Sequence, residues 1–191
     1  MTESIMAEEV AKIFSKHIFS SKYEDLSEKT IKQLKVFLLD TIGVGIAGST
    51  GSKLNELKKI AHKWSKGKNC TVLGTWDKFS RDASTLINAY QIHCLEFDCI
   101  HEGAVVHPMA AIISSLLAHC EEINNLGHHT NGKEFLISLA LGVDIASFLG
   151  ICARGELKFF RPATASGFGA VAALSKYKNF LWRKFIMLWV L

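Results

Sequence analysis

The stretch FLISLALGVDIASFLG, residues 135–150, decides the fold class, because it is a long apolar run with a single charged residue, Asp144. A membrane-spanning helix needs about 20 consecutive apolar residues, and a carboxylate inside a bilayer is costly. The run falls short of that length and places its carboxylate past its middle. It is therefore predicted to be a buried helix in the core of a globular domain, and no transmembrane segment is expected.

Amphipathic patterns on both sides of this run extend the helical prediction. Apolar residues recur at spacings of three and four, as in Val10, Ile13 and Phe14, which is typical of a helix with one apolar face. Pro108 and Pro162 stand where proline favours the first helical turn. The predicted helices occupy residues 7–20, 25–48, 51–68, 84–98, 108–122, 134–152 and 162–177.

Extended structure is predicted at one place, residues 68–84, where Cys70, Val72 and Leu73 stand beside Gly74. Strand patterns are nearly absent elsewhere. A chain of 191 residues is long enough for one sizeable core. The sequence therefore predicts an all-α, multi-helix bundle.

Local signals predict how the helices begin and how closely they pack. Asp25, followed three residues later by Glu28, is typical of a capping box and predicts the start of the second helix there. Asp82 and Ser84 are predicted caps for the helix of residues 84–98. The glycines at 43, 45 and 48 either let another helix approach closely or end the second helix.

Charge and cysteine content exclude several classes of protein. The net charge is +4, and its lysine clusters carry no interleaved aromatics, so they indicate solvated helix faces and no nucleic-acid partner. The five cysteines are odd in number and lack CxxC spacing, which argues against a disulfide framework and a structural zinc site. The acidic N-terminus shows no targeting signal. A cytoplasmic protein is expected.

The segment HCLEFDCIHEGAVVHP, residues 93–108, concentrates the chemistry-bearing side chains. If the helix continues to about Cys99, Glu96 shares a face with His93, and the following loop brings His101 and His107 back toward it. A histidine and a carboxylate among apolar residues suit proton transfer. The alternative is that each histidine is a satisfied buried or surface residue and that Glu96 belongs to a structural hydrogen-bond network. The spacing matches no metal motif such as HExxH, so no metal is expected.

A second candidate site is FFRPATASGFGAVAA, residues 159–173. Small residues precede a helix whose first turn presents free N–H groups, and Arg161 stands beside it, as a carboxylate-binding corner requires. Tight helix packing explains the same small residues equally well.

Together with LLDTIGVGIAGS, residues 38–49, these two segments resemble the MmgE/PrpD family. The resemblance implies a homodimeric, mostly helical lyase that removes water or carbon dioxide from a small polycarboxylate without a cofactor or metal. Glu96 matches an active-site Asp of the family, Asp98 an acidic position and His107 an active-site His, and His101 has a counterpart.

Three positions depart from that family pattern. Cys99 replaces a usual Asp, and Ile100 replaces an active-site Thr, which places Ile100 at the substrate. Arg161 replaces an active-site His, and we expect it to hold a substrate carboxylate.

The resemblance also implies an incomplete enzyme. Residues 4–177 correspond to the helical domain, the family's lid domain is expected to be absent, and residues 178–191 form an atypical apolar tail. We expect a truncated product that is inactive alone. The alternatives are a non-catalytic helical interaction module and one half of a split enzyme.

Overall fold

The computed structural model describes residues 3–153 and 160–177, and within them it confirms an all-α domain. The predicted apolar tail, residues 178–191, lies outside the described residues. The helices are α1 (Glu3–Ser20), α2 (Glu28–Ala47), α3 (Leu54–His62), α4 (Arg81–His93), α5 (Met109–Asn125), α6 (Gly132–Cys152) and α7 (Arg161–Tyr177). Single 3₁₀ turns, Tyr23–Asp25 and Gly48–Thr50, precede and follow α2.

The extended segment predicted between α3 and α4 is a small antiparallel hairpin. Strand β1 (Cys70–Thr71) pairs with β2 (Lys78–Phe79), with Cys70 opposite Phe79. Val72 and Phe79 are buried against α3 and α4 in a small second core. The hairpin therefore covers one end of α4, and among the described residues it is the only sheet.

The main core lies between α5, α6 and α7. Ile112 and Leu116 of α5, Leu139 of α6 and Ala173 of α7 are buried there, and Leu34 of α2 closes the cluster. Gly142 and Gly169 let α6 and α7 cross closely, since a Cβ on Gly169 would lie 2.6 Å from the Gly142 carbonyl oxygen. This crossing positions the N-terminal end of α7 beside α5.

Helix α6 is the core helix predicted from residues 135–150, but it is longer than predicted. It has 21 residues, so its length and apolar composition match those of a membrane span, as do those of the bent pair α2 and α3. Half of its apolar window is buried inside the domain. The prediction that this segment is too short to span a membrane was therefore wrong, and the packing of α6 in the core is what supports its interpretation as a core helix.

Two predicted helix caps were wrong. Ser27, and not Asp25, caps α2, because the Ser27 hydroxyl accepts from the Thr30 N–H at 3.1 Å. The Asp25 carboxylate instead accepts from the Lys22 N–H. Helix α4 begins three residues before Ser84, whose hydroxyl donates to the Cys70 carbonyl and fastens the hairpin.

The close approach predicted at the glycines of α2 is confirmed at two positions. A Cβ on Gly48 would lie 1.9 Å from the Gln91 carbonyl oxygen, and one on Gly45 would lie 3.1 Å from Ile92. Gly48 also follows the last residue of α2. These contacts hold the C-terminal end of α4, where His93 lies, against α2.

Candidate functional site

The polar segment after α4 is a loop and not a helical continuation. Helix α4 ends at His93, so the prediction of a helix to about Cys99 was wrong. Glu96 has a positive φ of 56°, a conformation that no α-helix contains. A two-residue bridge between His101 and Val106 closes the loop before Pro108 leads into α5. The loop turns Asp98 inward.

The Asp98 carboxylate is the centre of the site. Its side chain is 1% exposed. The His93 Nδ1 atom lies 3.0 Å from Oδ1 and 3.1 Å from Oδ2. On the other side, the His107 Nδ1 atom lies 3.3 Å from Oδ2. The two imidazole rings meet edge to face, with their centroids 5.1 Å apart.

This arrangement compensates for the burial of a carboxylate. An isolated buried charge costs many kcal/mol, so buried carboxylates are paired or hydrogen-bonded. Asp98 has imidazole nitrogens on two sides. The hydrogen bonds to Asp98 fix the orientation of the His93 ring, and the His107 ring also directs its Nδ1 edge toward the same carboxylate.

A cavity of about 260 Å³ opens beside the two histidines. His93 and His107 form part of its wall, and Phe160, Pro162 and Ser166 contribute the side formed by the start of α7. The Ser166 hydroxyl donates to the His107 carbonyl oxygen at 3.0 Å, which ties α7 to the loop. The cavity thus combines imidazole groups with a helix N-terminus, which favours anions.

Glu96 and Ile100 lie at the edge of this arrangement. The Glu96 side chain is 74% exposed, and its Oε1 atom lies 3.7 Å from the His93 Nε2 atom. Ile100 is exposed. Cys99 lies between these two residues in the chain. Its burial, and to a smaller extent the charges of Asp98 and Asp40, raise the pKa of its thiol to about 11. Cys99 is therefore a neutral packing group at physiological pH.

His101 and Arg161 do not line the cavity. The His101 Nδ1 atom accepts from the Ala104 N–H, and its ring borders a separate groove of about 540 Å³ that also contains His17 and Asp144. The Arg161 Nη2 atom donates to the Ala153 carbonyl oxygen at 3.0 Å. Of the six residues predicted for the site, the structure brings Asp98 and His107 into direct proximity.

His93 joins this pair, although the sequence prediction did not place it among the catalytic residues. Helical spacing predicts a contact between His93 and Glu96 across one turn, whereas the shorter contact in the structure is with Asp98, five residues later. The available signal was Asp98 itself, since an acidic side chain between apolar Phe97 and Cys99 requires a partner when buried.

Comparisons with known proteins find one matching family model and several related sequences. Residues 12–187 match the family model MmgE/PrpD N-terminal domain. The chain is 24% identical over 178 residues to human cis-aconitate decarboxylase, covering 91% of this chain and 37% of the relative. It is 25% identical over 137 residues to a cis-aconitate decarboxylase-like protein of Aspergillus oryzae, covering 70% of this chain and 28% of that protein. The chain thus spans about a third of the length of these relatives.

Proposed function

The chain belongs to the MmgE/PrpD family, and on that premise we propose that it carries the acid–base part of a lyase site for a small polycarboxylate. The observation that supports the proposal is the buried Asp98 carboxylate between His93 and His107 at the wall of a cavity. Two relatives are named for the decarboxylation of cis-aconitate, a tricarboxylate. Loss of carbon dioxide is therefore the first reaction to test, and loss of water from 2-methylcitrate is the second.

His107 is the proposed general acid or base. An ionised carboxylate only accepts hydrogen bonds, so Asp98 favours the His107 tautomer that carries its proton on Nδ1. The lone pair then resides on Nε2, at the opposite edge of the ring. Asp98 also stabilises the imidazolium that forms when Nε2 takes a proton. At 3.3 Å the contact does not have the geometry of a hydrogen bond, and catalytic hydrogen bonds commonly form fully only when substrate binds.

The N-terminal end of α7 is the proposed carboxylate-binding side. Breaking a bond next to a carboxylate builds negative charge, which requires donors or positive charge aimed at it. Pro162 and Ser166 bring the start of α7 to the cavity wall, where the helix dipole favours an anion. Arg161 contributes a bidentate contact if its guanidinium exchanges the Ala153 carbonyl for the substrate.

The other predicted site residues receive different roles. Glu96 lies beside His93 and not beside His107, so we assign it to the orientation of His93. Neither His101 nor Ile100 lines the cavity. The roles that the family pattern implies for them therefore stay predictions. Full activity requires further residues, supplied by another polypeptide or by a longer form of the chain. A homodimer in a reducing cytoplasm, as its five free cysteines favour, completes the proposal.

Turnover and binding by the full chain test this proposal. Cis-aconitate labelled with ¹³C at its carboxylates is incubated with the protein, and NMR follows the release of labelled carbon dioxide; 2-methylcitrate is tested in parallel. Ligand-observed NMR measures binding when turnover is absent. His107→Ala is expected to abolish turnover or weaken binding, whereas His129→Ala, an exposed histidine outside the cavity, leaves both unchanged. Wild-type behaviour of His107→Ala would refute the assignment.

An interaction module is the second candidate function, favoured by an apolar face on α2. Val36, Leu39 and Ile46 lie on one side of that helix and are 50%, 75% and 41% exposed. Contiguous exposed apolar residues mark association surfaces. Self-association without any binding of polycarboxylates would favour this function. Light scattering of wild type and Leu39→Glu decides it, because a monomeric wild-type chain contradicts association.

A further inference from the structure

We propose that His93, Asp98 and His107 form a binding site for one divalent transition metal of the zinc type. Each residue offers one ligand atom, and these atoms lie within 4.8 Å of one another. Two imidazoles and a carboxylate are ligands that Zn²⁺ takes in proteins. This metal site goes beyond the proposed lyase function, because metal binding depends only on the geometry of these three side chains and does not depend on turnover.

The separations between the ligand atoms fit a small metal ion. Ligands at about 2.0–2.1 Å from tetrahedral zinc are about 3.3 Å from each other. The His93 Nδ1 atom lies 3.1 Å from the Asp98 Oδ2 atom, and the His107 Nδ1 atom lies 3.3 Å from the same oxygen. Two edges of a tetrahedron are therefore already formed. The third edge joins the two histidines, whose ligand atoms lie within 4.8 Å of each other, and metal binding is expected to shorten it.

The burial of His107 Nδ1 and of the Asp98 carboxylate favours cation binding at this site. The His107 Nδ1 atom is buried and forms no hydrogen bond of good geometry, although it faces Asp98. Such an atom loses the hydrogen bond it made with water in the unfolded chain, which destabilises the fold unless another partner replaces the water. A metal ion bound between His107 and Asp98 satisfies this nitrogen and neutralises the buried carboxylate. The neighbouring cavity, which both histidines line, provides the entry path.

The absence of a metal motif in the sequence does not conflict with this site. Motifs such as HExxH describe ligands on one helix, whereas these ligands come from the end of α4, the following loop and the residue before Pro108. Only the folded loop brings positions 93, 98 and 107 together. A metal on the His107 Nδ1 atom would displace the proton that leaves Nε2 free to act as a base, and it would occupy the Asp98 carboxylate. Metal occupancy is therefore expected to block the proposed acid–base chemistry.

Metal titration of the full chain tests the proposal. Calorimetry with Zn²⁺ is expected to give one equivalent bound, and Co²⁺ is expected to give the intense visible bands of tetrahedral coordination. His93→Ala is expected to weaken Zn²⁺ binding at least about tenfold, and the 38% exposure of the His93 side chain favours retention of the fold. His129→Ala is the matched control with unchanged affinity. Far-UV circular dichroism confirms that the variants fold.

Two results would overturn the site. One is an affinity of His93→Ala equal to that of wild type, which would place the metal elsewhere, such as at the exposed His128 and His129. The other is a weak octahedral Co²⁺ spectrum of the wild-type protein, which decides the question even if His93→Ala does not fold. Metal binding with neither turnover nor binding of cis-aconitate and 2-methylcitrate leaves this site intact and refutes only the lyase function.

Discussion

Replacing Gly169 by Ala tests whether the crossing of α6 and α7 organises the domain. An added Cβ would lie 2.6 Å from the Gly142 carbonyl oxygen, 2.9 Å from Ile112 Cδ1 and 3.0 Å from Ala146 Cβ. Gly167, two residues earlier on the same helix, has nothing within 4 Å of an added Cβ. The two substitutions therefore add the same methyl group to one helix. At Gly169 it meets the backbone of α6, and at Gly167 it enters open space.

The two changes are expected to have opposite signs. In a helix interior, Gly→Ala stabilises by about 0.8–1 kcal/mol, which is the full effect expected for Gly167→Ala. At Gly169, carbon and oxygen would approach to about 0.9 Å less than the ordinary packing distance of about 3.5 Å. Overpacking costs about 1–3 kcal/mol, and the upper value applies because a backbone carbonyl cannot rotate away. The net effect of Gly169→Ala is a loss of about 2 kcal/mol.

Urea denaturation followed by far-UV circular dichroism measures the difference. The free energies of unfolding of Gly167→Ala and Gly169→Ala should differ by about 3 kcal/mol, or by about 6–12 °C in Tm for a domain of this size. Equal stability of the two variants, or a more stable Gly169→Ala, would refute the close crossing of α6 and α7. It would also remove the support for the position of α7 beside the histidine cavity.

Three further predictions concern other parts of the fold. Ser27→Ala removes the acceptor at the start of α2 and should lower the free energy of unfolding by about 1 kcal/mol in urea titration; no change would refute the cap. A hydrogen bond from Lys58 lowers the pKa of Asp77, so the pair stabilises above the unfolded pKa and loses its effect as the pH falls through the folded pKa. Asp77→Asn should therefore destabilise by less than about 1 kcal/mol at neutral pH and by nothing at about pH 2, as urea titrations at both pH values would show. Iodoacetamide at about pH 8 should modify the exposed Cys152 before Cys99, whose pKa is about 11, and peptide mass spectrometry detects the reverse order if this is wrong.

Most helices could be predicted from the sequence because their signals are local. Apolar residues at helical spacing and prolines in first turns located α5, α6 and α7 to within a few residues. Glycines 45 and 48 were correctly predicted to permit close approach, although the partner, the end of α4, was not predictable. The helix starts were predicted less well, because several polar residues near each start compete for the capping position.

The end of α4 shows where local patterns fail. Leu95 and Phe97 continue an apolar pattern past His93, and the pattern predicted a longer helix. The chain leaves the helix instead, with Glu96 in the left-handed region, and Asp98 becomes buried between two imidazoles. Burying that carboxylate beside its partners is a tertiary requirement that a helical spacing does not contain.

The amino-acid sequence therefore determined the fold class, the family and the segment that contains the chemistry, since each depends on residue types and spacings along the chain. The grouping within that segment came from the folded molecule. Packing of α5 and α7 against the loop sets which side chains converge, and it joined His93 to Asp98 and His107 while directing His101 to another groove. Distances across a loop depend on the elements that anchor its ends, and no spacing in the sequence specifies them.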